Sequence, residues 1–500
     1  MGNVLVKEET LTQIAEAIRE KAGTDDLYKP GEMPKAILDI STFSEEGADP
    51  SKPVRFYGPY GDLVYSFRVE ELNKMTELPI LPEYQGLVGQ TWNWSLENAK
   101  AVNGEIEIGS LYVTDNGETR IYIELVEEAL NPKVGFKQNF ANAVWIDWGD
   151  GKAMSSSEVY GNEVVSIEHE YDQPGSYVIC LVPEEDAEIT LVGNGGGTLL
   201  LHQRPENTTD NMRYANSIQK IELGTAILKF TNSCFKSETL KSITIPNTIT
   251  KFDGAFSGCI SLETITFPQG ISSLGNSEFS GCYGLKKVLF PDRRISMYTG
   301  TFKHCQSLEE IVFSSYWSNY SSDFSDCYNL KRAVLPPKME QINGSMFSGC
   351  TLLKEVVIRG TVTKILSDAF RGCYSLEKIE LPDSITQIGT YSFYGCYLIR
   401  HLKLPNSLVS IGNSAFGNCH SLKKVEIPES VTTIDNQAFL SCYSVKEYYI
   451  YPVNPPVLGG SNVFYVANDC KMYVPKGSLE AYQTAEYWNE YADYMVEMEE

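Results

Sequence analysis

The chain has 500 residues, too many for a single hydrophobic core, and a globular composition: 42% hydrophobic, 21% charged, with 30 tyrosines. Its net charge of −24 argues against nucleic-acid and anionic-membrane partners, because phosphate binding needs clustered Lys and Arg. No run is long and apolar enough for membrane insertion, and the opening MGNVLVKEETLTQIAEAIREK lacks the apolar segment of a secretory signal; the expectation is a chain made in the cytosol.

The first expected element is a short helix over 10–23. Thr10 and Gln13 form a capping box, Leu11, Ile14, Ala15 and Ile18 make one apolar stripe, and Gly23 suits the C′ position. A second helical turn begins near Pro34 and carries Ile37 and Ile40. So short a pair is not stable alone. Leu11, Ile14, Ile18 and Ile37 are therefore candidate attachment residues. The stretch LTQIAEAIREKAGTDDLYKPGEMPKAILDI is similar to an N-terminal element of tail-associated proteins of phages and prophages of gut bacteria. That resemblance implies that residues 1–42 attach to other tail or virion proteins; the alternative is a plain helical hairpin.

Residues 43–52, FSEEGADPSK, read as a linker. Residues 53–117, with VRFYGPYGDLVYSF from Val54, are expected to form a small β module; its V-F…G…P-LP…GL…WNW layout resembles β-grasp-like modules of surface and tail proteins. In residues 118–193 the alternation of Val144, Ile146 and Trp148 puts those side chains on one face of a strand. WGDG at 148–151, followed by HEYDQPGSYVI, resembles a PKD-type β-sandwich. The physical content is an Asp-Gly turn after one strand and a Pro-Gly turn before another. Asp147 and Asp150 could suggest calcium, but the full set of oxygen ligands is not apparent, so Asp150 is read as turn chemistry. GNGGGT at 193–198 lacks the Lys and the spacing of a phosphate loop, and 194–214 is read as a hinge.

Beyond the hinge the chain repeats. Cysteines stand at 259, 282, 305, 327, 350, 373, 396, 419 and 442; seven of the eight intervals are 23 residues and one is 22. Phe precedes each cysteine by three residues, and Leu, Ile or Val follows each by three. Apolar residues at six and eight after the cysteine, as in Ile379 and Leu381, give the alternation of a short strand with one buried face. Proline then ends it, as at Pro382, Pro405 and Pro428. Each coil is expected to contribute one strand, with coils stacked about 4.8 Å apart. The residue before each cysteine is Gly, His, Asp, Asn or Ser, mostly types that tolerate positive φ. An earlier unit, FKSETLKSITIPNTITKF, places Glu238 in the cysteine slot, as a capping repeat would. The thiols could pack, pair or bind metal. Their odd number, the lack of CxxC and the parallel side chains of one column favour packing.

The pattern FxxCxxLxxIxLPxxIxxIG resembles the BspA-type, or treponemal, leucine-rich repeat. NPPVL…CKMYVPKGSLEAYQTAEYWNEY resembles the end of such arrays, where a strand and an amphipathic helix close the core. The resemblance implies a solenoid over 215–455, a cap over 456–500, and an adhesive or ligand-binding scaffold rather than an enzyme. The expected fold class is multidomain and mainly β, with a leucine-rich-repeat solenoid preceded by β-grasp-like and PKD-like modules and a short helical element.

None of the five histidines (169, 202, 304, 401, 420) has a metal-ligand spacing, and no pair of carboxylates stands out. No enzyme, cofactor or metal site is expected. His304 and His420 flank repeat cysteines, but the recurrence of Cys without His points to packing. On the expected open strand face, Leu289, Val312, Val334 and Val357 make an apolar strip rimmed by charge. It is either a contact site or simply a set of residues suited to an exposed strand. The loop SSYWSNYSSDF, with Tyr316, Trp317 and Tyr320, has the composition of a paratope. Strip and loop are the candidate ligand contacts. The expected function is a phage or prophage tail-associated receptor-binding protein, located on the virion, binding a host-surface protein or glycan and forming a homotrimer. The alternatives are a bacterial surface adhesin of the BspA kind and an intracellular interaction scaffold.

Overall fold

The computed structural model describes residues 51–499 except 52, 103, 139–142, 157–164, 193–200, 203–213, 231–233, 253, 314–316 and 319–322. The helical element expected at 1–42, with Leu11, Ile14, Ile18 and Ile37, lies outside the described residues, as does all but Ser51 of the linker. Residues 54–500 form one unit, and it is mainly β.

Its first part is a mixed four-stranded sheet. Val54–Tyr57 pairs antiparallel with Leu63–Phe67 and parallel with Ile106–Thr114, which pairs antiparallel with Leu87–Trp92. Helices Val69–Lys74 and Leu96–Val102 bury Leu72 and Ala99 against Val54, Phe56, Ile106 and Ile108. Glu71 accepts a hydrogen bond from the Arg68 amide at 2.7 Å and so helps cap the first helix. All nine residues of Ile106–Thr114 are buried. A sheet with one wet face would alternate, so something must cover the second face of this strand.

The next part is a sandwich packed around Trp148, Tyr171, Phe136 and Ile179. The strand Val144–Asp147 alternates as expected: Val144 and Ile146 are fully buried and Trp145 is 47% exposed. Both sheets continue past residue 193. Ile218–Glu222 pairs antiparallel with Thr119–Leu125 and parallel with Ser242–Thr244. Ile227–Phe230 pairs parallel with Ile189–Leu191. Most of the segment expected as a hinge lies outside the described residues; the strands on its two sides share sheets. The sandwich thereby closes the first end of the solenoid.

In the first coil Ser237, not Glu238, takes the cysteine's place. Ser237 is buried and donates from Oγ to the Ala215 carbonyl at 2.7 Å, whereas Glu238 is exposed. This unit is one residue shorter between Phe235 and Leu240 than the next is between Phe256 and Leu262, and that shift moves the slot.

From there the coils stack in register. Thr264–Thr266 pairs with Lys287–Leu289, and Glu310–Val312, Arg332–Val334, Glu355–Val357 and Lys378–Ile379 follow one another in parallel. The structure adds a second strand per coil that the sequence did not announce. Gln341–Ile342, Lys364–Ile365, Gln387–Ile388, Ser410–Ile411 and Thr433–Ile434 form its ladder. These strands are only two residues long, too short for alternation to show.

Between the two ladders runs the phenylalanine column. From Phe256 to Phe439 the rings stack with centroids 5.2–5.8 Å apart. The nine repeat cysteines are buried and unpaired. Each donates its thiol to the carbonyl of the Phe one coil back, with Sγ···O of 2.8–3.4 Å. The residue before each cysteine has φ between 59° and 78°, the left-handed turn the sequence called for. At the far end Lys471–Val474 pairs with Glu447–Ile450 and with Met495–Glu497. Helix Leu479–Thr484 and the turn Trp488–Tyr494 bury Tyr482 and Trp488, the latter 5.4 Å from Phe464.

Burial pushes the Cys259 and Cys442 thiols up to about 12, so the repeat thiols should resist alkylation until the chain is unfolded. Cys373→Ala is expected to cost about 1–2 kcal/mol in urea unfolding. Cys373→Ser should cost less, because the hydroxyl keeps the bond as Ser237 does. A serine variant less stable than the alanine one would mean that the column is packing alone.

Candidate functional site

The apolar strip on the strand face is not open to solvent. Leu289 and Val334 are fully buried, Val312 is 4% exposed and Val357 is half-buried. Their cover is the chain's own four-stranded module, and this corrects the expectation of an open contact strip. Asn93 Nδ2 donates to the carbonyls of Phe267 and Leu289, both at 3.2 Å, and the Trp94 indole donates to the Phe290 carbonyl at 2.8 Å. Asp292 accepts from the Ser95 amide at 2.6 Å and from Asn98 Nδ2 at 3.0 Å. Gly109 makes the approach possible: a Cβ there would lie 2.5 Å from Thr266 Cγ2 and 3.0 Å from Leu289 Cδ1.

Charges rim this contact. Glu107, itself buried, accepts from Tyr57 Oη at 2.9 Å and Lys287 Nζ at 3.0 Å, with Arg55 at 3.5 Å. Arg332 reaches Glu105 at 2.7 Å, Glu310 at 2.6 Å and Glu355 at 2.9 Å. Burial works against the Arg55 charge, but the carboxylates of Glu310 and Glu107 outweigh it and hold its pKa above the ordinary value. The sequence carried no signal of this contact: the acidic Glu105 and Glu107 and the basic Lys287 and Arg332 lie far apart in the chain and meet only in the fold.

On the second sheet, Trp317–Ser318 is a strand paired with Ile295–Met297. Tyr316 and Tyr320 lie outside the described residues.

The strand face is open from Lys378 onward. Lys378, Glu380, His401, Lys403 and Lys424 are exposed on it. Lys424 Nζ sits 2.7 Å from Glu426 and 4.0 Å above the ring of Tyr449, which stacks on Tyr473 at 4.6 Å. Beside it lies a groove of about 350 Å³ lined by Lys403, Asn406, Glu426, Glu429 and Tyr451. A second groove, of about 420 Å³, follows the other ladder past Gln387, Ser410 and Thr433.

The titratable groups singled out in the sequence have local roles. Asp147 accepts from the Gly149 amide at 2.9 Å and Asp150 from the Lys152 amide at 3.1 Å, which is turn chemistry. Asp150 also sits 2.8 Å from His169 Nε2, and that imidazole stacks on Trp148 at 4.7 Å. Burial raises the Asp150 pKa, yet the bonds from His169 and Lys152 more than reverse this and leave it below the carboxylate range. His304 adopts the left-handed φ of 63° before Cys305 and lies 3.6 Å from Asp326. Among the described residues no three His, Cys, Asp or Glu side chains gather as metal ligands. Nor does any helix among them have the length and apolarity to cross a membrane.

The sequence reading missed Glu278, which is fully buried in the solenoid wall. Its carboxyl accepts from the amides of Gly254 at 2.5 Å, Ala255 at 2.6 Å and Gly275 at 3.2 Å. No periodicity marks it, because the other coils place Ala, Thr, Asp, Met or Ser there.

Residues 203–254, 252–377 and 320–446 match the family model for the BspA type Leucine rich repeat region, in six copies. Residues 203–446 are thus a BspA-type leucine-rich repeat region. No curated protein matches it. Among solved structures it is similar to the T. pallidum leucine rich repeat protein, at 30% identity over 30% of this chain and 72% of that one, with a TM-score of 0.29. It is also similar to a leucine rich cell surface protein from Faecalibacterium prausnitzii, at 21% identity over 53% of this chain and 87% of that one, TM-score 0.29. A leucine-rich repeat protein from Bacteroides ovatus is similar at 20% identity over 59% of this chain and 97% of that one, TM-score 0.30.

Gly109→Leu should pry the module from the solenoid. Amide exchange at Ile106–Thr114 and Lys287–Leu289 is expected to accelerate by about tenfold or more, while exchange in the coils beyond Lys378 stays unchanged. Uniform protection in the variant would show that the close approach is not needed.

Burial pushes the Glu278 carboxyl up to about 7 from an ordinary 4.5. With the folded value above the unfolded one, its contribution to stability is complete below pH 4.5 and declines as pH rises through about 7. Glu278→Gln should flatten that part of the stability–pH curve in urea titrations. An unchanged slope would assign it to other groups.

Proposed function

We propose that the chain is a non-enzymatic recognition protein that adheres to a cell surface through the coils its own module leaves uncovered. The observation that carries this reading is the open strand face from Lys378 to Tyr473, where lysines, glutamates and stacked tyrosines share one surface. Protein-recognition surfaces are enriched in tyrosine and use charge mainly for selectivity and encounter. The BspA-type repeat match supports adhesion or protein binding as the class of activity.

Within that class we favour a tail-associated receptor-binding protein of a phage or prophage. The similarity of residues 1–42 to tail-protein N-termini supports it. In this reading those residues attach to the tail, the module and sandwich act as the stem, the solenoid meets a host-surface protein or glycan, and tail symmetry suggests a trimer. A bacterial surface adhesin of the BspA kind is the second reading, favoured by the repeat family itself.

Labelled full-length chain should bind cells of the host bacterium. The combined change Lys403→Glu, Lys424→Glu and Tyr449→Ala should reduce binding by about tenfold without moving the unfolding midpoint. Undiminished binding by that variant would remove this face from the proposal. Gold-labelled antibody against residues 370–450 separates the two readings: label on tail tips supports the first, and label on the producing cell's envelope supports the second.

A further inference from the structure

One exposed feature is not required by the fold. The position directly after each cysteine reads Ile260, Tyr283, Gln306, Tyr328, Thr351, Tyr374, Tyr397, His420 and Tyr443. The coils with Ile260, Gln306 and Thr351 bury their Phe and Cys as completely as the rest, so a ring there does nothing for the wall. Yet the last four coils all carry one, and the rings form a continuous ladder. Tyr374 and Tyr397 stack at 4.8 Å and 3°, Tyr397 and His420 at 4.8 Å and 2°, and His420 and Tyr443 at 5.1 Å and 22°. Tyr465 closes the row edge-on at 5.0 Å. Tyr374 is 44% exposed and Tyr443 54%. Among the described residues, no side chain or backbone group hydrogen-bonds the hydroxyls of Tyr374, Tyr397 and Tyr443 or the His420 ring.

Three residues further along the same coils stand Glu377, Arg400, Lys423 and Lys446. Their backbones are in register, the Lys423 amide donating to the Arg400 carbonyl at 3.3 Å and the Lys446 amide to the Lys423 carbonyl at 3.0 Å. All four are exposed. Lys446 pairs with Asp469 at 2.6 Å, whereas Arg400 and Lys423 have no ion-pair partner among the described residues. On a chain of net charge −24, Arg400 and Lys423 are two adjacent unpaired cations beside the aromatic row, bounded by Glu377 on one side and the Lys446–Asp469 pair on the other.

The ring geometry selects the ligand. A sugar or a nucleobase stacks on the face of an aromatic ring, but in this ladder the inner faces are occupied by neighbouring rings. What remains outward is ring edge, the positive end of the quadrupole, together with free phenolic donors. Edges, hydroxyls and cations all seek acceptors, and carboxylates above all. The rings are already held by their neighbours, so little side-chain freedom is left to lose on binding.

We infer that the ladder Tyr374–Tyr397–His420–Tyr443, with Arg400 and Lys423, binds an extended acidic peptide segment of a partner protein lying along the stack. The inference rests on the reading that the uncovered coils are the recognition surface, and it names the partner's chemistry.

The test uses full-length chain and a fluorescent Glu/Asp-rich peptide, with the same peptide carrying Ser at its acidic positions, a heparin fragment and an oligo-dT as comparators. Binding is read by anisotropy. The wild type should bind the acidic peptide in preference to all three, although its own net charge opposes this. Tyr374→Thr/Tyr397→Thr/Tyr443→Thr, which copies the residue found at Thr351, should lose about tenfold or more. Arg400→Glu/Lys423→Glu keeps every ring and should lose binding and its salt dependence together. No acidic-peptide binding by the wild type, binding unchanged in either variant, or preference for heparin or oligo-dT overturns the inference. A wild type that binds the peptide through the ladder but binds no cells leaves this inference standing and removes the functional reading instead.

Discussion

The structure depends on one recurring hydrogen bond, from a thiol to a carbonyl one coil away. A carbonyl oxygen has two acceptor positions. Within each turn the Phe carbonyl accepts from the amide of the cysteine three residues on, as Phe347 does from Cys350 at 3.1 Å. The next coil's thiol takes the other position, here Cys373 at 3.2 Å. Every coil therefore satisfies its predecessor's buried acceptor while presenting a new one to its successor. An aliphatic residue would leave that second acceptor position unfilled. A disulfide would remove two donors at once. The odd count of cysteines in register excludes complete pairing, but this bond is the positive reason for a thiol at that period.

The repeat was legible in the sequence because it is written many times. Phe, Cys and Leu columns, the left-handed residue before each cysteine and the proline stop all recur at a fixed interval, and each has a local physical cause. The second ladder was hidden because a two-residue strand carries no period. The cover over Leu289, Val312 and Val334 was hidden for another reason: it joins a repeating element to a segment that does not repeat. The charges Lys287, Glu310, Arg332 and Glu355 alternate in sign along the sheet and can pair as a ladder. They do, since Arg332 bonds both Glu310 and Glu355. They also meet Arg55, Glu105 and Glu107 from outside the array.

Buried ion pairs of this kind add little net stability, since desolvation offsets much of the attraction. Their effect is selective. A flat apolar strip would accept the module at any register along the stack, because successive coils look alike. A set of charges that must each find an opposite partner, with Gly109 seated over Thr266 and Leu289, permits one position only. The unpartnered Arg55 Nε is consistent with a contact tuned for register rather than for complete satisfaction.

An open-ended stack must hide both terminal faces, and this chain does so with unlike parts. The sandwich lends its two sheets to the first coils, and the Trp488 turn seals the last. With the ends closed and the strand face from Thr264 to Val357 covered by the module, the part of that face left open to solvent begins at Lys378. The coils from there on are also those where ring follows ring at the position after cysteine. A fold that needs no aromatic there, and interrupts the exposed Tyr283 and Tyr328 with Gln306 and Thr351 in the earlier coils, places four rings in succession in the later ones. Selection for stability alone gives no reason for that asymmetry along a uniform stack. A partner that reads only the open end does.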